Sequence, residues 1–377
     1  MFTPEIKKFI KTQSPQTPYL VADLSVVKEK YETLTSQLPF ADCYYSIKAN
    51  PAPQIIKLLN NLGSCFDTAS INEIKNCIEC AVDPDKIIFG NTIKKESHIK
   101  EAFRLGITSY AFDAEQELDK IACFAPGSKV FCRIVISNQG AQWPLSKKFG
   151  CDEHQAVYLL EQAKDKGLNP YGISFHVGSQ QTNPEAWRSA IRKTSKIIKK
   201  LSSKNVNVSC VNIGGGFPAQ YREEIQPLKN HTEMIKNSLR DLFIANDLPE
   251  IVIEPGRYIV AESAVIVTEV ILTKNDLHKK DVRWVYLDAG KFNGLEEAGI
   301  TQYPIKTDYP DTEPLGDVIL AGPTCDGDDV LYDKHHYKLP LSLKPGDKVY
   351  FLSAGAYSAT YSSINFNGFE PLQEYYI

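Results

Sequence analysis

The sequence lacks any long apolar run. Its 377 residues contain no uninterrupted stretch long and apolar enough to cross a bilayer. The first residues, MFTPEIKKFIKTQ, have no apolar core after their charges, so we expect no secretion signal. Charge of one sign is also scarce, because 42 Lys and Arg against 46 Asp and Glu leave a net charge of −4. We therefore expect a cytoplasmic protein with neither nucleic acid nor membrane as a partner.

The cysteines form no disulfide framework. There are nine, an odd number, and they are scattered along a chain without a secretion signal, so reduced thiols are the simplest expectation. Cys77 and Cys80 are spaced as CxxC, but they lie in a helical pattern with no second ligand pair nearby. Because a tetrahedral metal site needs four ligands, we predict no metal.

A repeated unit of strand, turn and amphipathic helix fills the middle of the chain. Apolar residues between the β-rich runs recur at three- and four-residue spacing, which is typical of helices with one buried face. Eight such units over roughly 230 residues predict an N-terminal, TIM-like (β/α)8 barrel with parallel strands. The runs are 43–49, 64–69, 87–91, 109–113, 129–136, 171–178, 208–215 and 251–256.

The pattern changes after about residue 258. Runs such as ESAVIVTEVILTK and DKVYFLSAGAY are β-rich, separated by turns and almost free of helix, which predicts an antiparallel β-domain. The length also exceeds what one hydrophobic core usually supports. We expect an α/β plus all-β protein, with the barrel at 24–258 and the β-domain at 1–23 and 259–377. The run at 17–24 is a further strand whose pattern fits either domain.

Reactive residues concentrate at one end of the predicted strands. In a (β/α)8 barrel the active site is built at the carboxyl ends of the strands. Ionisable side chains and a glycine triplet fall at those ends, and their joint occurrence favours an active site over an ordinary rim. They are Lys48, Asp67, Asn91, Asp113, Arg133, His176, Gly214 to Gly216, Glu254 and Arg257.

The chemistry of these side chains suits an aldehyde cofactor that carries a phosphate. A desolvated lysine such as Lys48 can form a Schiff base with an aldehyde. The GGGFP turn (214–218) lets backbone N–H groups approach a phosphate, and Arg257 can add a permanent positive charge. Glu254 can keep a pyridine nitrogen protonated, and His176 can lie against the ring. Alone, the glycine triplet also fits a plain turn, and EPGR also fits a salt-bridged loop.

Motifs along nearly the whole chain resemble one family. They are YYSIKANP (44–51), FDTASINEI (66–74), FHVGSQ (175–180), NIGGGFP (212–218), EPGR (254–257), GPTCDG (322–327), and GAYS followed by FNGF (355–369). In this order they resemble the ornithine decarboxylases, which are pyridoxal-phosphate (PLP) decarboxylases of the alanine-racemase-like barrel fold (fold type III). The resemblance is greatest to the shorter bacterial ornithine/lysine group.

The resemblance implies a homodimer with shared active sites and a role for each matching residue. Catalysis would depend on Lys48, which carries PLP, on His176 against the ring, and on Cys325 as proton donor to the α-carbon. Asp326 would face the distal amine of the substrate, and the partner's β-domain would supply both Cys325 and Asp326. The implied cofactor-binding residues are Lys48, Asp67, Arg133, His176, Ser179, Gly214, Gly215, Gly216, Glu254, Gly256, Arg257 and Tyr357.

One segment departs from the family. After LDAGKFNGL (287–295) the bacterial relatives carry an acidic stretch, whereas this chain has the shorter EEAGITQYPI. Glu297, or its neighbour Glu296, is the candidate to replace the missing acidic residues in contacting the substrate. The shorter segment is equally compatible with a harmless deletion.

The expected reaction is decarboxylation of a basic amino acid in polyamine biosynthesis. L-Ornithine, giving putrescine, is the first choice, and L-lysine, giving cadaverine, is the second. Arginine, diaminopimelate or a conjugated amino acid stays open, although GPTCDG differs from the CES-type motif of diaminopimelate enzymes. Glu254 argues against a racemase, because family racemases use Arg there. A non-catalytic regulator resembling the antizyme inhibitors is the alternative from another class. It is disfavoured by the joint retention of Lys48, Asp67, His176, Glu254, Arg257 and Cys325.

Overall fold

The computed structural model describes residues 1–145, 147–243 and 248–377, the side chains of His335 and His336 excepted. Two compact units make up the chain. One consists of Lys28–Pro218 and Ile225–Tyr258, and the other of Met1–Val27, Ala219–Glu224 and Ile259–Ile377.

The strands and helices of the whole chain are numbered in chain order, and they alternate through the first unit. The strands of the chain are β1 (Tyr19–Ala22), β2 (Ala41–Ser46), β3 (Cys65–Thr68), β4 (Ile87–Phe89), β5 (Ser109–Phe112), β6 (Lys129–Arg133), β7 (Ala141–Trp143), β8 (Asn169–Ser174), β9 (Ser179–Gln181), β10 (Cys210–Asn212), β11 (Glu250–Ile253), β12 (Ala264–Asn275), β13 (Val282–Leu287), β14 (Ile305–Thr307), β15 (Leu315–Ala321), β16 (Val330–Pro340), β17 (Lys348–Leu352) and β18 (Gln373–Tyr376). The helices are α1 (Pro4–Gln13), α2 (Leu24–Gln37), α3 (Pro53–Asn61), α4 (Ile71–Glu79), α5 (Glu96–Arg104), α6 (Glu115–Phe124), α7 (Glu153–Asp165), α8 (Glu185–Ser202), α9 (Leu228–Leu242) and α10 (Arg257–Val260).

Eight parallel strands close into a barrel in the order β2, β3, β4, β5, β6, β8, β10 and β11, with β11 pairing back to β2. Side chains fill the barrel, because the interior positions of neighbouring strands carry apolar residues. Ile88, Phe131 and Val252 belong to this interior cluster. Gly172 faces the Phe131 ring, where a Cβ atom would lie 2.4 Å from the ring, so a residue without a side chain is required there.

The helix after β3 begins with a hydrogen-bonded cap that fixes the end of the strand. The side chain of Ser70 accepts a bond from the N–H of Glu73 at 3.2 Å. The carboxylate of Glu73 in turn accepts a bond from the N–H of Ala69 at 2.5 Å. Such reciprocal bonds satisfy the free donors of a helix start. The cap holds the strand end that carries Asp67.

The second unit is a sheet with the strand order β14-β17-β12-β13-β15-β16, in which β1 pairs with β12 and also with β18. Most neighbours are antiparallel, but β13–β15 and β1–β18 are parallel. The helix α1 packs Ile6 and Ile10 into the apolar cluster of this sheet, together with Tyr19, Val265 and Tyr350.

The structure confirms the predicted fold class. A closed parallel barrel is followed by a sheet that is mainly antiparallel, as the two sequence patterns indicate. Within the described ranges, no helix combines the length and apolarity that a bilayer crossing requires.

Candidate active site

Lys48 lies in a short 3₁₀ turn, Ile47–Ala49, directly after β2. Its Nζ is 2.7 Å from Oδ2 of Asp67, the last residue but one of the neighbouring strand β3. The lysine side chain is 43% exposed, whereas that of Asp67 is 5% exposed. A buried carboxylate therefore orients an amine that a reactant can reach.

Ser46 is a second partner of this pair, and sequence reasoning missed it. Its hydroxyl donates to Oδ2 of Asp67 at 2.9 Å and accepts from Nζ of Lys48 at 3.3 Å. The available signal was its position two residues before Lys48 in the predicted β-rich run 43–49, because alternate residues of a strand would share a face. The three side chains form one hydrogen-bonded cluster.

Glu254 follows β11 at the same end of the barrel. Burial, with the nearby charge of Asp67, raises the pKa of its carboxyl to about 7, although the charges of Lys48 and Arg133 act in the opposite direction. Asn212 donates its side-chain N–H to Oε1 of Glu254 at 2.5 Å. Sequence reasoning missed Asn212 as well.

The glycine triplet is a turn with no room for side chains. Gly214 and Gly216 have φ of +66° and +98°, in the left-handed region that glycine tolerates. A Cβ on Gly214 would lie 2.3 Å from the carbonyl of Phe175, and one on Gly215 would lie 2.3 Å from that of Glu254. Glycine is therefore required here, because neighbouring backbone occupies the space that a side chain would fill.

Arg257 and Ser179 lie together in the barrel unit. The guanidinium Nε of Arg257 donates to the hydroxyl of Ser179 at 3.1 Å, and Arg257 is only 5% exposed. Gly256 precedes the arginine, and a Cβ there would lie 3.0 Å from that of Ala49. The Arg257 segment is therefore packed closely against the turn that carries Lys48.

His176 is a neutral ring with a defined tautomer. Its Nδ1 accepts the N–H of Gly178 at 3.0 Å, so Nε2 carries the proton. Enclosure in the barrel mouth, together with the charges of Arg133 and Lys48, lowers the pKa of His176 to about 3. Burial also lowers the pKa of Arg133, whose guanidinium lies over the ring of Phe149.

Asn91 and Asp113, which the sequence places at the barrel rim, form hydrogen bonds to the backbone of neighbouring loops. Asn91 donates its side-chain N–H to the carbonyl of Ala69 at 3.2 Å. Asp113 accepts the N–H of Gly150 at 2.7 Å. Both contacts hold loops at this end of the barrel.

The remaining predicted residues belong to the β-domain unit. Cys325 and Asp326 are exposed, whereas Glu297 is buried in the 3₁₀ turn Glu296–Gly299. Tyr357 has a φ of +56°, which is unusual for a residue with a side chain. Oδ1 of Asn367 lies 3.1 Å from the N–H and 3.4 Å from the Sγ of Cys325.

Asp329 fixes the loop that carries Cys325 and Asp326. One carboxylate oxygen accepts the N–H of Lys291 at 2.8 Å. The other accepts the N–H and the hydroxyl of Thr324 at 3.1 and 2.8 Å. The aspartate is buried, and both of its oxygens are bonded. The loop therefore has a defined shape within its unit.

The barrel residues fit PLP. An accessible amine, a buried arginine and a turn without side chains supply partners for an aldehyde and a phosphate, and Glu254 supplies one for a pyridine nitrogen. In the part of the chain that the structure describes, no three His, Cys, Asp or Glu side chains are grouped to hold a metal ion.

Known proteins are similar to this chain in fold and in sequence. The family described as pyridoxal-dependent decarboxylase, pyridoxal binding domain, matches residues 24–261. The lysine/ornithine decarboxylase of Selenomonas ruminantium is 35% identical over 376 residues, covering 96% of this chain and 91% of that protein. Antizyme inhibitor 2 of Xenopus laevis is 32% identical over 386 residues, covering 99% and 83%. The arginine decarboxylase of Paramecium bursaria Chlorella virus, solved with agmatine bound, has a TM-score of 0.91 at 31% identity and covers 99% of each chain.

The fold and the site define a fold type III PLP enzyme. The chain belongs to the pyridoxal-dependent decarboxylase family, its cofactor is PLP, and its class of activity is that of a carboxy-lyase. The predicted family and cofactor are confirmed.

Proposed function

We propose that this enzyme decarboxylates L-ornithine to putrescine in polyamine biosynthesis, with L-lysine as a second substrate. The observation that carries the decarboxylase chemistry is the cluster at one end of the barrel. There the amine of Lys48 is held by Asp67, close to the charge of Glu254. The names of the Selenomonas and viral relatives support a basic amino acid as substrate.

Each part of the cofactor has candidate partners in the barrel. Lys48 would bind the aldehyde and Glu254 the pyridine nitrogen. The backbone of Gly214 to Gly216 would bind the phosphate with Ser179 and Arg257, and we propose Tyr357 as a further phosphate partner. Bound PLP supplies an electron-withdrawing ring that accepts the electron pair left when the carboxylate departs as carbon dioxide.

The chain's own residues control the charges around that ring. Asp67 stabilises the protonated amine of Lys48, and the hydroxyl of Ser46 is hydrogen-bonded to both groups. Burial and the nearby cations lower the pKa of His176, so its imidazole stays uncharged at neutral pH. It would pack against the cofactor ring without placing a second positive charge beside it. Cys325 is the proposed donor of the proton that replaces the carboxylate.

Acidic residues of the β-domain unit would select the substrate. Asp326 is exposed in the loop that Asp329 fixes, and it suits the distal ammonium group of ornithine. Glu296 is exposed and Glu297 is buried at 4% exposure, so we propose Glu296 as the better placed of the two for a second contact.

The proposed enzyme is a homodimer with shared sites. Cys325 and Asp326 are exposed in their own unit, which suits residues that complete the site of another subunit. Closed twofold dimers place the same residues at both sites, so each dimer would contain two active sites.

A substrate panel tests the proposal. The PLP-loaded protein is incubated with ornithine, lysine, arginine and diaminopimelate, and the amine products and carbon dioxide are measured. Putrescine should form fastest. Agmatine as the main product would show that the substrate is arginine and not ornithine. The viral relative, an arginine decarboxylase, supports this second outcome.

The same panel separates an enzyme from a regulator. One relative is named an antizyme inhibitor, so a non-catalytic protein is the second candidate. The enzyme should show a PLP absorbance band near the visible edge that is lost in Lys48→Ala. A wild-type protein without this band and without carbon dioxide release would favour the regulator.

A further inference from the structure

Two loops of the β-domain unit, one carrying Cys325 and the other Asn367, are bonded to the same short segment. That segment is the 3₁₀ turn Lys291–Asn293. Asp329, four positions after Cys325, accepts the N–H of Lys291 at 2.8 Å through its buried carboxylate. This bond fixes the Cys325 loop to the start of the turn.

The loop that carries Asn367 is attached to the next residue of that turn. The carbonyl of Phe292 accepts the N–H of Ser363 at 2.9 Å. The ring of Phe292 also packs on that of Phe366, with the ring centroids 4.5 Å apart. Asn367 follows Phe366 with a φ of +51°, in the left-handed region that asparagine adopts more readily than most residues. The fold therefore holds the two loops side by side.

One oxygen of Asn367 contacts two atoms of Cys325. Oδ1 accepts the backbone N–H of Cys325 at 3.1 Å and lies 3.4 Å from Sγ of the same residue. The N–H can only donate, so the oxygen of the amide, and not its nitrogen, must face Cys325. An oxygen beside a thiol can accept a hydrogen bond from the S–H, which favours the protonated thiol over the thiolate.

We propose that Asn367 is a positioning residue for the proton donor of the reaction. Its amide oxygen keeps the Cys325 thiol protonated and in one orientation until the α-carbon takes the proton. The inference rests on the donor role proposed for Cys325, and it deepens that role by naming the residue that acts through the thiol. Both residues lie in the β-domain unit, so the pair stays together whichever subunit's site it serves.

A misdirected proton leaves a product that can be measured. Protonation of the α-carbon releases the amine and leaves PLP as it was. Protonation of the aldehyde carbon of the cofactor leaves the α-nitrogen of the substrate on the cofactor. Ornithine and PLP then give carbon dioxide, 4-aminobutanal and pyridoxamine phosphate, with no net consumption of water. The pyridoxamine phosphate formed per turnover therefore measures how well the donor is placed.

Asn367→Gly removes the amide but keeps the backbone angle, because glycine adopts a positive φ without strain. PLP-loaded wild type, Asn367→Gly and Asn367→Asp are given the basic amino acid that wild type decarboxylates fastest. We expect Asn367→Gly to form pyridoxamine phosphate at least about fivefold more often per turnover than wild type, the factor that the loss of one hydrogen bond gives. Asn367→Asp keeps an acceptor oxygen and should stay within about twofold of wild type.

Alkylation of Cys325 tests the contact without cofactor or substrate. The apo proteins react with iodoacetamide at neutral pH, and peptide mass spectrometry separates Cys325 from Cys123, which is also exposed. The thiolate is the reactive form. Asn367→Gly should therefore react faster than wild type, and Asn367→Asp, whose negative charge opposes a thiolate, should react more slowly. An asparagine that only supported the loop would not produce this order.

Asn365→Gly is the matched control. Asn365 is exposed two positions before Asn367 and has a φ of +58°. Its replacement by glycine relaxes the backbone in the same way but keeps the contact to Cys325. The control should match wild type in both measurements, and thermal unfolding of all variants checks that each one is folded.

The positioning role is overturned if Asn367→Gly forms no more pyridoxamine phosphate than Asn365→Gly while Cys325→Ala forms much more. Equal alkylation rates of Cys325 in wild type, Asn367→Gly and Asn367→Asp would overturn it as well. A Cys325→Ala protein that still directs the proton correctly would show instead that Cys325 is not the donor, and the role of Asn367 would end with it. Wild type that prefers lysine or arginine to ornithine would count against the proposed substrate alone.

Discussion

Asp67 is the residue on which several contacts of the site converge. It receives bonds from Lys48 and Ser46 and lies close enough to Glu254 to disfavour a second negative charge there. A Cβ on Gly90 would lie 2.0 Å from Oδ1 of Asp67, so a glycine is needed directly after β4 to make space for the carboxylate. The charge of the site is therefore set by packing as well as by its reactive residues.

Glu254 should make the stability of the apo protein depend on pH. Its pKa is raised to about 7 in the folded state. At a pH between the ordinary pKa of a glutamate and about 7, the carboxyl therefore loses its proton when the protein unfolds. The Glu254 contribution to the free energy of unfolding should therefore fall by about 1–3 kcal/mol as the pH rises through that window.

Chemical denaturation of apo wild type and Glu254→Gln at pH 4.5, 6 and 8 measures this effect. The stability of wild type minus that of the variant should decrease with pH and level off near pH 8. A difference that stays constant, or grows with pH, would show that Glu254 is ionised throughout.

At this scale the sequence singles out candidate reactive residues, whose roles stay predictions, but not the side chains that contact them. Lys48, His176, Glu254 and Arg257 stand at strand ends or in distinctive motifs. Ser46 and Asn212 act through contacts to residues on other strands, such as the bond from Asn212 to Glu254, 42 positions away. Only the closed order of the barrel, with β10 beside β11, brings these side chains together.

At the scale of elements, Lys94 holds the loop after β4 against the strand and helix that follow. Its side chain is fully buried, and Nζ donates to the carbonyls of Asn91 and Ala111 at 2.7 and 2.6 Å. It also lies 3.0 Å from Oε1 of Glu117 on α6. Burial lowers the pKa of Lys94 to about 8, against the attraction of Glu117.

Lys94→Met should destabilise the protein by about 3 kcal/mol, because it leaves a buried carboxylate and two carbonyls without their shared cation. Adding Glu117→Gln should restore part of the loss by removing that charge. Lys95→Met, at the exposed neighbouring position, is the control and should change stability by less than about 0.5 kcal/mol.

The free energies of unfolding of the three variants decide this prediction. A Lys94→Met protein as stable as the control would show that Lys120, which lies 2.5 Å from Glu117, neutralises the carboxylate alone.

The elements with a strong local pattern were predictable, and those defined by distant pairing were not. The eight barrel strands fall within the eight predicted runs or within two residues of them. The short sheet of β7 and β9 was missed because each strand has only three residues and the two strands lie about 40 positions apart in the sequence. The helix α1 was missed although Thr3 caps it and Pro4 begins it, a typical helix start. The parallel pairing of β13 with β15 needs a register that local alternation does not contain.

At the scale of the whole molecule, the proposed dimer predicts complementation between two inactive proteins. Lys48→Ala and Asp326→Ala should each have very low activity, one for loss of the cofactor lysine and the other for loss of the substrate contact. If Asp326 acts in the partner's site, random mixing of equal amounts should restore about a quarter of wild-type activity, because half the dimers have one intact site.

A mixture of Lys48→Ala and Glu254→Ala is the control. Both changes lie in the barrel unit, so neither site of a mixed dimer is intact and activity should stay low. Activity that fails to return in the first mixture, despite exchange of subunits, would assign Asp326 to its own subunit's site.

The alternation of strands and helices, and its loss near residue 258, predicted two folding patterns in one chain. The structure assigns the strand at 17–24, which the sequence left open, to the sheet of the second unit. The segment Ala219–Glu224 also groups with that unit, and no local pattern indicates it. There Arg222 lies over the ring of Tyr337, a contact between residues more than 100 positions apart.

The pairing of β1 with β12 and β18 has a consequence for biosynthesis. β1 is fully buried in the finished sheet, yet its partners begin only at Ala264 and Gln373. At ordinary ribosomal speeds it waits roughly 10 to 50 s for β12, and longer for β18. Throughout that time four apolar residues, Tyr-Leu-Val-Ala, are exposed on the nascent polypeptide. Chaperones that bind short hydrophobic peptides should therefore be able to bind this strand during synthesis.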